Sequence, residues 1–350
     1  MTQPRIAVGI MGATGMVGQH FVKFLQSHPW FDITWVGASD RSAGKKYSEA
    51  TSWRLDGEMP ATVRDLTVQD CVPDNAPRLV FSAMDASVAT EKERAFAEAG
   101  RVVVSNSKNH RMEPDVPLLV PEINADHLKI IPLQQRRRGW KGQIVTNPNC
   151  STIALTMALG PMKPFGITRV LATTMQALSG AGYPGVASMD ATANVIPYIG
   201  GEEEKMQQET QKILGDLTSD GFRPLDALVS AQCNRVPVVD GHTVAVSVEF
   251  RRKPSLDELI EAIGKFRGVP QQRNLPSAPP QPVIYMTGDD RPQPRRDANR
   301  ENGMAVFVGR LRECPVLHYK FIALGHNTIR GAAGAAVLNA ELMYTEGMLD

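Results

Sequence analysis

The stretch "IVTNPNCSTIALTMAL", residues 144–159, sets Cys150 behind Pro148 and Asn149 and ahead of an apolar run with helical spacing. That spacing predicts a thiol in the first turn of a buried helix. Unsatisfied backbone N–H groups and the helix macrodipole favour negative charge there. A thiol in this place ionises more easily, and its thiolate is the nucleophilic form. The alternative is a small apolar residue packed under a helix cap, because free cysteines are commonly buried and inert.

A second stretch points to a dinucleotide. In "GATGMVG" the residues Gly12, Ala13, Thr14, Gly15, Met16, Val17 and Gly18 lie between a strand and a helix. This GxxGxxG spacing lets backbone N–H groups approach a pyrophosphate at the helix N-terminus, although an ordinary tight turn also accommodates it. After the second strand, where NAD-binding units usually place an acid for the ribose, the chain reads "GASDRSAGKKY". Ser39, Arg41 and Ser42 offer hydroxyls and a cation that suit a 2′-phosphate, so NADP is favoured over NAD. Asp40 could itself take a ribose hydroxyl.

These residues need elements to hold them. "RIAVGIMGATGMVGQHFVKFLQSH" reads as a strand over Ile6–Met11, a turn, and a helix to about Ser27. "DITWVGAS", "RLVFSAM" and "RVVVSNS" read as further strands reached through helical or loop sequence. Such alternation predicts a mostly parallel sheet covered on both faces up to about residue 148. Beyond Cys150, "TRVLATTMQAL", "LVSAQCNRVPVV", "HTVAVSVEF" and "MAVFVGRLRE" predict a mixed or antiparallel sheet. One long helical stretch is expected over 190–215 and another over 255–266, with an extended surface excursion at 269–300. The small-residue segment "NTIRGAAGAAVLNAELMYTEG" predicts a closely packed helix.

Bulk composition narrows the class. The chain has 350 residues, 42% hydrophobic and 21% charged, with a formal net charge of +1. That suggests two domains with no global field for nucleic acid or an anionic membrane. The basic run "RRRGWK" (Arg136–Lys141) reads as a solvated turn. No apolar stretch reaches the roughly 18–20 residues that span a bilayer. Cys71, Cys150, Cys233 and Cys314 form no CxxC pair, which points to reduced thiols rather than a disulfide frame or a metal site. With "MTQPRIAVGIMG" running straight into a strand, a cytoplasmic protein is expected.

Over nearly its whole length the chain resembles the aspartate-β-semialdehyde dehydrogenase family, most of all its archaeal and fungal branch. The resemblance is carried, in order, by "GATGMVG", "SDRSAGKKY", "SNSKNHRM", "NPNCST", "QALSGAGYPG", "GGEEEKM", "NRVPVVDGHT" and "HNTIRGAAGAA". It implies an α/β fold: a Rossmann-type domain with a mostly parallel sheet, and an α+β catalytic and dimerisation domain with a mixed sheet. Residues 1–148 would bind NADP, residues 149–326 would carry catalysis and dimerisation, and residues 327–350 would pack back on the first domain. The implied reaction is reversible NADP-dependent reductive dephosphorylation of aspartyl-4-phosphate to aspartate semialdehyde and phosphate. It would serve lysine, threonine and methionine biosynthesis, in a homodimer or homotetramer.

The same resemblance assigns roles. Cys150 would carry the thioester, and His242, with an imidazole near neutral pKa, would exchange a proton with the hemithioacetal. If Asp240–Gly241 closes a two-residue hairpin, His242 pairs with Val239, and Arg235 lies four residues further back on the same face. Arg235 would then grip the substrate carboxylate with its planar fork; a solvent-facing edge arginine is the alternative. Gln176 would orient the reacting carbonyl, unless it only serves loop backbone. Glu202 would meet the substrate ammonium and Lys205 the phosphate, though first-turn acids followed by lysine also compensate a helix dipole, and Glu203 and Glu204 leave the register open by one. Arg111 is the other phosphate candidate, from the far side of an interdomain cleft, and His110 beside it is structural. Asn149 lies near the thiol, while Gly180 and Asn327 join the cofactor residues.

Three rivals are weighed against this reading. A CoA-thioester reductase of the malonyl-CoA reductase kind and an N-acetylglutamyl-phosphate reductase each leave Glu202 without a cation to meet. A non-catalytic NADP-sensing regulator does not explain Cys150, Gln176, Arg235 and His242 occurring together.

Overall fold

Short strands whose every residue is buried, such as "LVFS" and "VVVS", have no polar face and fit only a sheet covered on both sides. The computed structural model, which describes residues 5–349, places them so. The first sheet contains β1 (Ile6–Met11), β2 (Phe31–Ala38), β3 (Gln69–Asp70), β4 (Leu79–Ser82), β5 (Val102–Ser105) and β6 (Gln143–Thr146). Their order is β3-β2-β1-β4-β5-β6, and every pair is parallel. The order reverses between β1 and β4, so a crevice opens beyond their carboxyl ends. Helix α1 (Met16–Leu25) starts there with its first-turn N–H groups uncapped by any side chain.

The second sheet contains β7 (Ile167–Gln176), β10 (Leu228–Arg235), β11 (His242–Phe250), β12 (Val283–Met286), β13 (Val306–Glu313) and β14 (Tyr319–Gly325); β8 (Asp216–Leu217) and β9 (Phe222–Arg223) form a separate ribbon. Its order is β10-β7-β11-β14-β13-β12, with parallel outer pairs and antiparallel inner ones. The α/β reading with a second, mixed sheet therefore holds. A helix over Cys150–Leu159 lies on this sheet, with every residue after the cysteine buried. It has no polar stripe, so it can only run through the core.

Several expectations need correction. Asp240–Gly241 does not close a hairpin between neighbouring strands, because β7 lies between β10 and β11. The expected long helix over 190–215 is instead a single turn at Ser188–Ala191 and a separate helix, Glu202–Ile213. Pro197 and the Gly200–Gly201 pair, with Gly201 left-handed at φ +67°, break it. The excursion over 269–300 contains β12, which pairs in parallel with β13. The three arginines of the basic run sit in the last turn of a helix over Ile131–Arg138, where cations complement the dipole; Gly139, Trp140 and Lys141 follow it as the expected turn, with Trp140 buried.

The closing segment begins as a π turn over Ile329–Ala333 and continues as a helix over Gly334–Thr345. Val337, Leu338, Leu342 and Met343 share one apolar core with Val8, Phe21 and Phe81 around the first sheet. The π turn presses Gly331 against the Cys150 helix: a Cβ there would stand 2.6 Å from Cys150 Cβ. The small residues thus serve close approach.

Candidate active site

Cys150 is the first residue of its helix, and Asn149 caps that helix by accepting the Ser151 and Thr152 N–H groups at 2.9 and 3.3 Å. The Asn149 amide donates in turn to Glu202 Oε2 at 2.7 Å. Gln176 reaches the same oxygen at 3.4 Å, and Lys205 donates to Glu202 Oε1 at 2.8 Å. Glu202 is therefore the hub that joins the cap, the end of β7 and Lys205. Burial works to raise its carboxyl, but the Lys205 hydrogen bond and charge, with the two amides, outweigh it and hold Glu202 below the ordinary value. The register is settled by burial: Glu202 faces inward, Glu203 accepts the Cys233 N–H at 3.0 Å, and Glu204 is exposed. Lys205 is engaged in the i,i+3 pairing that dipole compensation also predicts.

The intervening strand brings Arg235 and His242 together. Arg235 lies opposite Gln176 on one side of β7, and Thr243 lies opposite Met175 on the other. The backbone of one residue then holds both: the Ala177 carbonyl accepts Arg235 Nη1 at 2.8 Å, and the Ala177 N–H donates to His242 Nδ1 at 3.0 Å. That second bond assigns the tautomer, leaving the ring proton of neutral His242 on Nε2. Nε2 is buried and has no partner among the described residues. Gly180 closes over the pair; a Cβ there would stand 2.8 Å from His242 Cε1 and 2.9 Å from Arg235 Nη1. Asn327 braces this corner, accepting the Gly241 N–H at 2.8 Å and donating to Ser179 Oγ at 2.7 Å.

The electrostatics overturn two expectations. Cys150 keeps some contact with solvent, yet the surrounding protein pushes the thiol up to about 12, and Glu202 adds to the shift; Arg111 and Arg235 oppose it. The helix terminus alone does not yield a thiolate here, since desolvation outweighs it. Burial likewise pulls His242 down to about 3, helped by Arg235 and His326, so it is not near neutral pKa. A neutral thiol faces a site with a neutral imidazole.

Arg111 is buried, and its guanidinium donates to Glu209 Oε1 at 2.9 Å and to the Asn106 carbonyl at 2.8 Å. Glu209 Oε2 accepts the Asn149 N–H at 2.6 Å. No motif singled out Glu209; the available signal was a second Glu-x-x-Lys step seven residues after the first. His110 is buried between Glu113, at 2.9 Å, and Glu93, at 3.7 Å.

A cavity of about 830 Å³ occupies the crevice at the ends of β1, β2 and β4. Gly12, Thr14, Gly15, Met16 and Val17 line it, with Ser39, Asp40 and Arg41 on a second wall. The turn is shaped to leave this space: a Cβ on Gly18 would stand 2.4 Å from the Gly12 carbonyl oxygen, so Gly18 serves packing and does not line the cavity. Ala13 is fully buried and its N–H is spent on Gly37. Ser42, Gly180 and Asn327 also lie outside the lining. Sequence reasoning missed Lys92 and Tyr183, which face the cavity from outside the glycine turn. The volume, the uncapped helix start and the Arg41 cation fit a dinucleotide phosphate.

Comparison with known proteins agrees with this fold. Residues 7–131 match the family model described as semialdehyde dehydrogenase, NAD binding domain, and residues 159–330 match semialdehyde dehydrogenase, dimerisation domain. The aspartate-semialdehyde dehydrogenase of Methanothermobacter thermautotrophicus is 52% identical over 343 residues, covering 97% of this chain and 99% of that protein. That of Schizosaccharomyces pombe is 48% identical over 353 residues, covering 98% and 99%. The crystal structure of aspartate semialdehyde dehydrogenase with NADP from Candida albicans superposes with a TM-score of 0.92 at 42% identity, covering 99% of this chain and 100% of that one. Aspartate semialdehyde dehydrogenase II from Vibrio cholerae, complexed with ASA, gives 0.78 at 28% identity, covering 98% and 99%.

Proposed function

The chain belongs to the aspartate-semialdehyde dehydrogenase family, and on that footing we propose that it catalyses the reversible, NADP-dependent reductive dephosphorylation of L-aspartyl-4-phosphate to L-aspartate 4-semialdehyde and phosphate. The observation that carries this reading is the charge pattern around one thiol. Glu202, Arg235 and the two cations Arg111 and Lys205 oppose an ammonium, a carboxylate and an acyl phosphate, the three charged groups of that substrate. A malonyl thioester lacks the ammonium.

The Cys150 sulfur attacks the acyl carbon, the carbon–oxygen bond to phosphate breaks, and the thiol proton leaves with the phosphate. Arg111 and Lys205 hold that leaving group. Gln176 and Asn149, both tied to Glu202, fix the carbonyl over the sulfur. NADPH, when bound, supplies the hydride for the thioester carbon. Gly12, Thr14, Gly15, Met16 and Val17 would hold its pyrophosphate, and Ser39 and Arg41 its 2′-phosphate. The His242 Nε2–H donates to the carbonyl oxygen as negative charge develops there; a fixed donor in a desolvated site is worth far more than in water. Protonation at Nδ1 is opposed by the Ala177 N–H that points at it. Collapse of the adduct releases the aldehyde and returns Cys150 as thiolate, which takes its proton from water.

Residues 1–148 with 327–350 form the NADP unit in this reading, and 149–326 the catalytic and dimerisation unit. Leu171 on β7 and Leu228 on β10 are 47% and 72% exposed on the sheet face opposite the Cys150 helix, which suits a homodimer, or a homotetramer built from it. No described helix is long and apolar enough to cross a membrane, and the four cysteines form no bridges; the proposed location is the cytoplasm. The deciding assay is phosphate-dependent formation of NADPH from aspartate semialdehyde. Cys150→Ala abolishes it while NADP binding persists, and activity only with malonyl-CoA would replace the reading.

A further inference from the structure

The helix Glu202–Ile213 contains the step Glu-x-x-Lys twice: Glu202 with Lys205, and Glu209 with Lys212. Seven residues make nearly two turns, so both steps share one face. The first step belongs to the site described above. The second lies beneath it, with Glu209 2% and Lys212 4% exposed. Lys212 Nζ donates to the carbonyls of Arg111, Glu113 and Val116 at 2.7, 2.8 and 2.8 Å, which uses all three of its hydrogens. Glu209 divides its two oxygens between Arg111 Nη1 and the Asn149 N–H, the residue that precedes Cys150 and caps its helix.

We propose that Glu209 is a positioning residue for phosphate exchange: one carboxylate fixes both the guanidinium that grips phosphate and the peptide that carries the nucleophile. The proposal rests on the activity proposed above. Arg111 comes from the segment that follows β5, and Cys150 from the one that follows its parallel neighbour β6, so the first sheet sets where the two segments start but not the direction of the whole Arg111 side chain, which the Asn106 carbonyl holds at one nitrogen only. A long cationic side chain also loses much rotamer freedom when held in one direction. Glu209 supplies the missing constraint, and Lys212 pins the backbone that bears Arg111. The anion grip is therefore tied to the residue before the thiol, and not only to the sheet that both segments leave.

Glu209→Gln preserves volume but can accept from only one of the two donors, and turns an N–H toward the other. In the full-length variant, stopped-flow mixing of aspartate semialdehyde with NADP and no phosphate reads acylation as an NADPH burst. Titrating phosphate then reads thioester release. With the amide oxygen kept on the Asn149 N–H and the NH2 turned toward Arg111, the expected result is a wild-type burst with a phosphate KM raised about ten- to a hundredfold, the loss of one charge-assisted contact. The KM for aldehyde should stay within about twofold. If Glu209 acts through Arg111, the Arg111→Ala, Glu209→Gln double variant is no worse toward phosphate than Arg111→Ala alone. Should Glu209→Gln fail to fold, Glu209→Asp, with the charge kept and the reach shortened, carries the same test. An unmoved phosphate KM, equal losses for both substrates, or additive losses in the double variant each overturn the positioning role. A wild-type protein without phosphate-dependent turnover overturns the activity itself, and this proposal with it.

Discussion

Replacing Gly180 with alanine adds one methyl group where the Arg235 guanidinium and the His242 imidazole meet. The ideal Cβ would stand 2.8 Å from His242 Cε1, 2.9 Å from His242 Nε2 and 2.9 Å from Arg235 Nη1. Ordinary contact begins at 3.4 Å, so the neighbours must yield by more than half an ångström. Neither can do so freely, since both are tied to the backbone of Ala177, at 3.0 and 2.8 Å. A misplacement of about 1 Å in such groups costs about a hundredfold, so Gly180→Ala should lower kcat/KM for aspartate semialdehyde roughly ten- to a hundredfold, or about 1.4–2.7 kcal/mol. Gly180 is exposed and its backbone lies outside the left-handed region, so the fold and its thermal midpoint should barely change. Steady-state kinetics with the aldehyde varied at saturating phosphate, alongside NADP binding by fluorescence, makes the measurement. Aldehyde kinetics at the wild-type level with weakened NADP binding would place the methyl against the cofactor and refute the steric argument.

The ionisation state of Cys150 gives a second expectation. With the thiol pushed up to about 12, alkylation mapped to Cys150 in substrate-free enzyme should keep accelerating from about pH 7 to 10, because rate follows the thiolate fraction; a plateau near neutral pH would reveal a thiolate–imidazolium pair instead. Glu202→Gln removes a negative neighbour, lowers the thiol's pKa and should speed that alkylation at fixed pH. Arg41→Ala should weaken NADP about ten- to a hundredfold while leaving NAD nearly unchanged, as measured by equilibrium titration; equal losses would make Arg41 structural. Arg111→Ala or Lys205→Ala should raise the KM for phosphate more than that for aldehyde. Arg235→Lys, which keeps charge but loses the planar grip, should chiefly impair aldehyde use and lower kcat; the opposite pattern would exchange the two assignments.

What sequence alone determined about this protein depends on short-range chemistry. The glycine turn, the Asn149 cap before Cys150 and the alternation of strands and helices each follow from residues a few positions apart. The thiol's place at a helix start was legible for that reason, and so were the strand segments on both sides of it. Tertiary structure decided what those places mean. Strand order put β7 between β10 and β11, so that the backbone of Ala177, which no side-chain motif signals, orients both Arg235 and His242. Burial by segments remote in the chain reversed the expected ionisation of Cys150 and His242, because desolvation depends on what surrounds a group and not on its neighbours in sequence. Glu209 stayed invisible on the same ground: its partners Arg111 and Asn149 lie 98 and 60 residues away, and only the folded chain brings the three together.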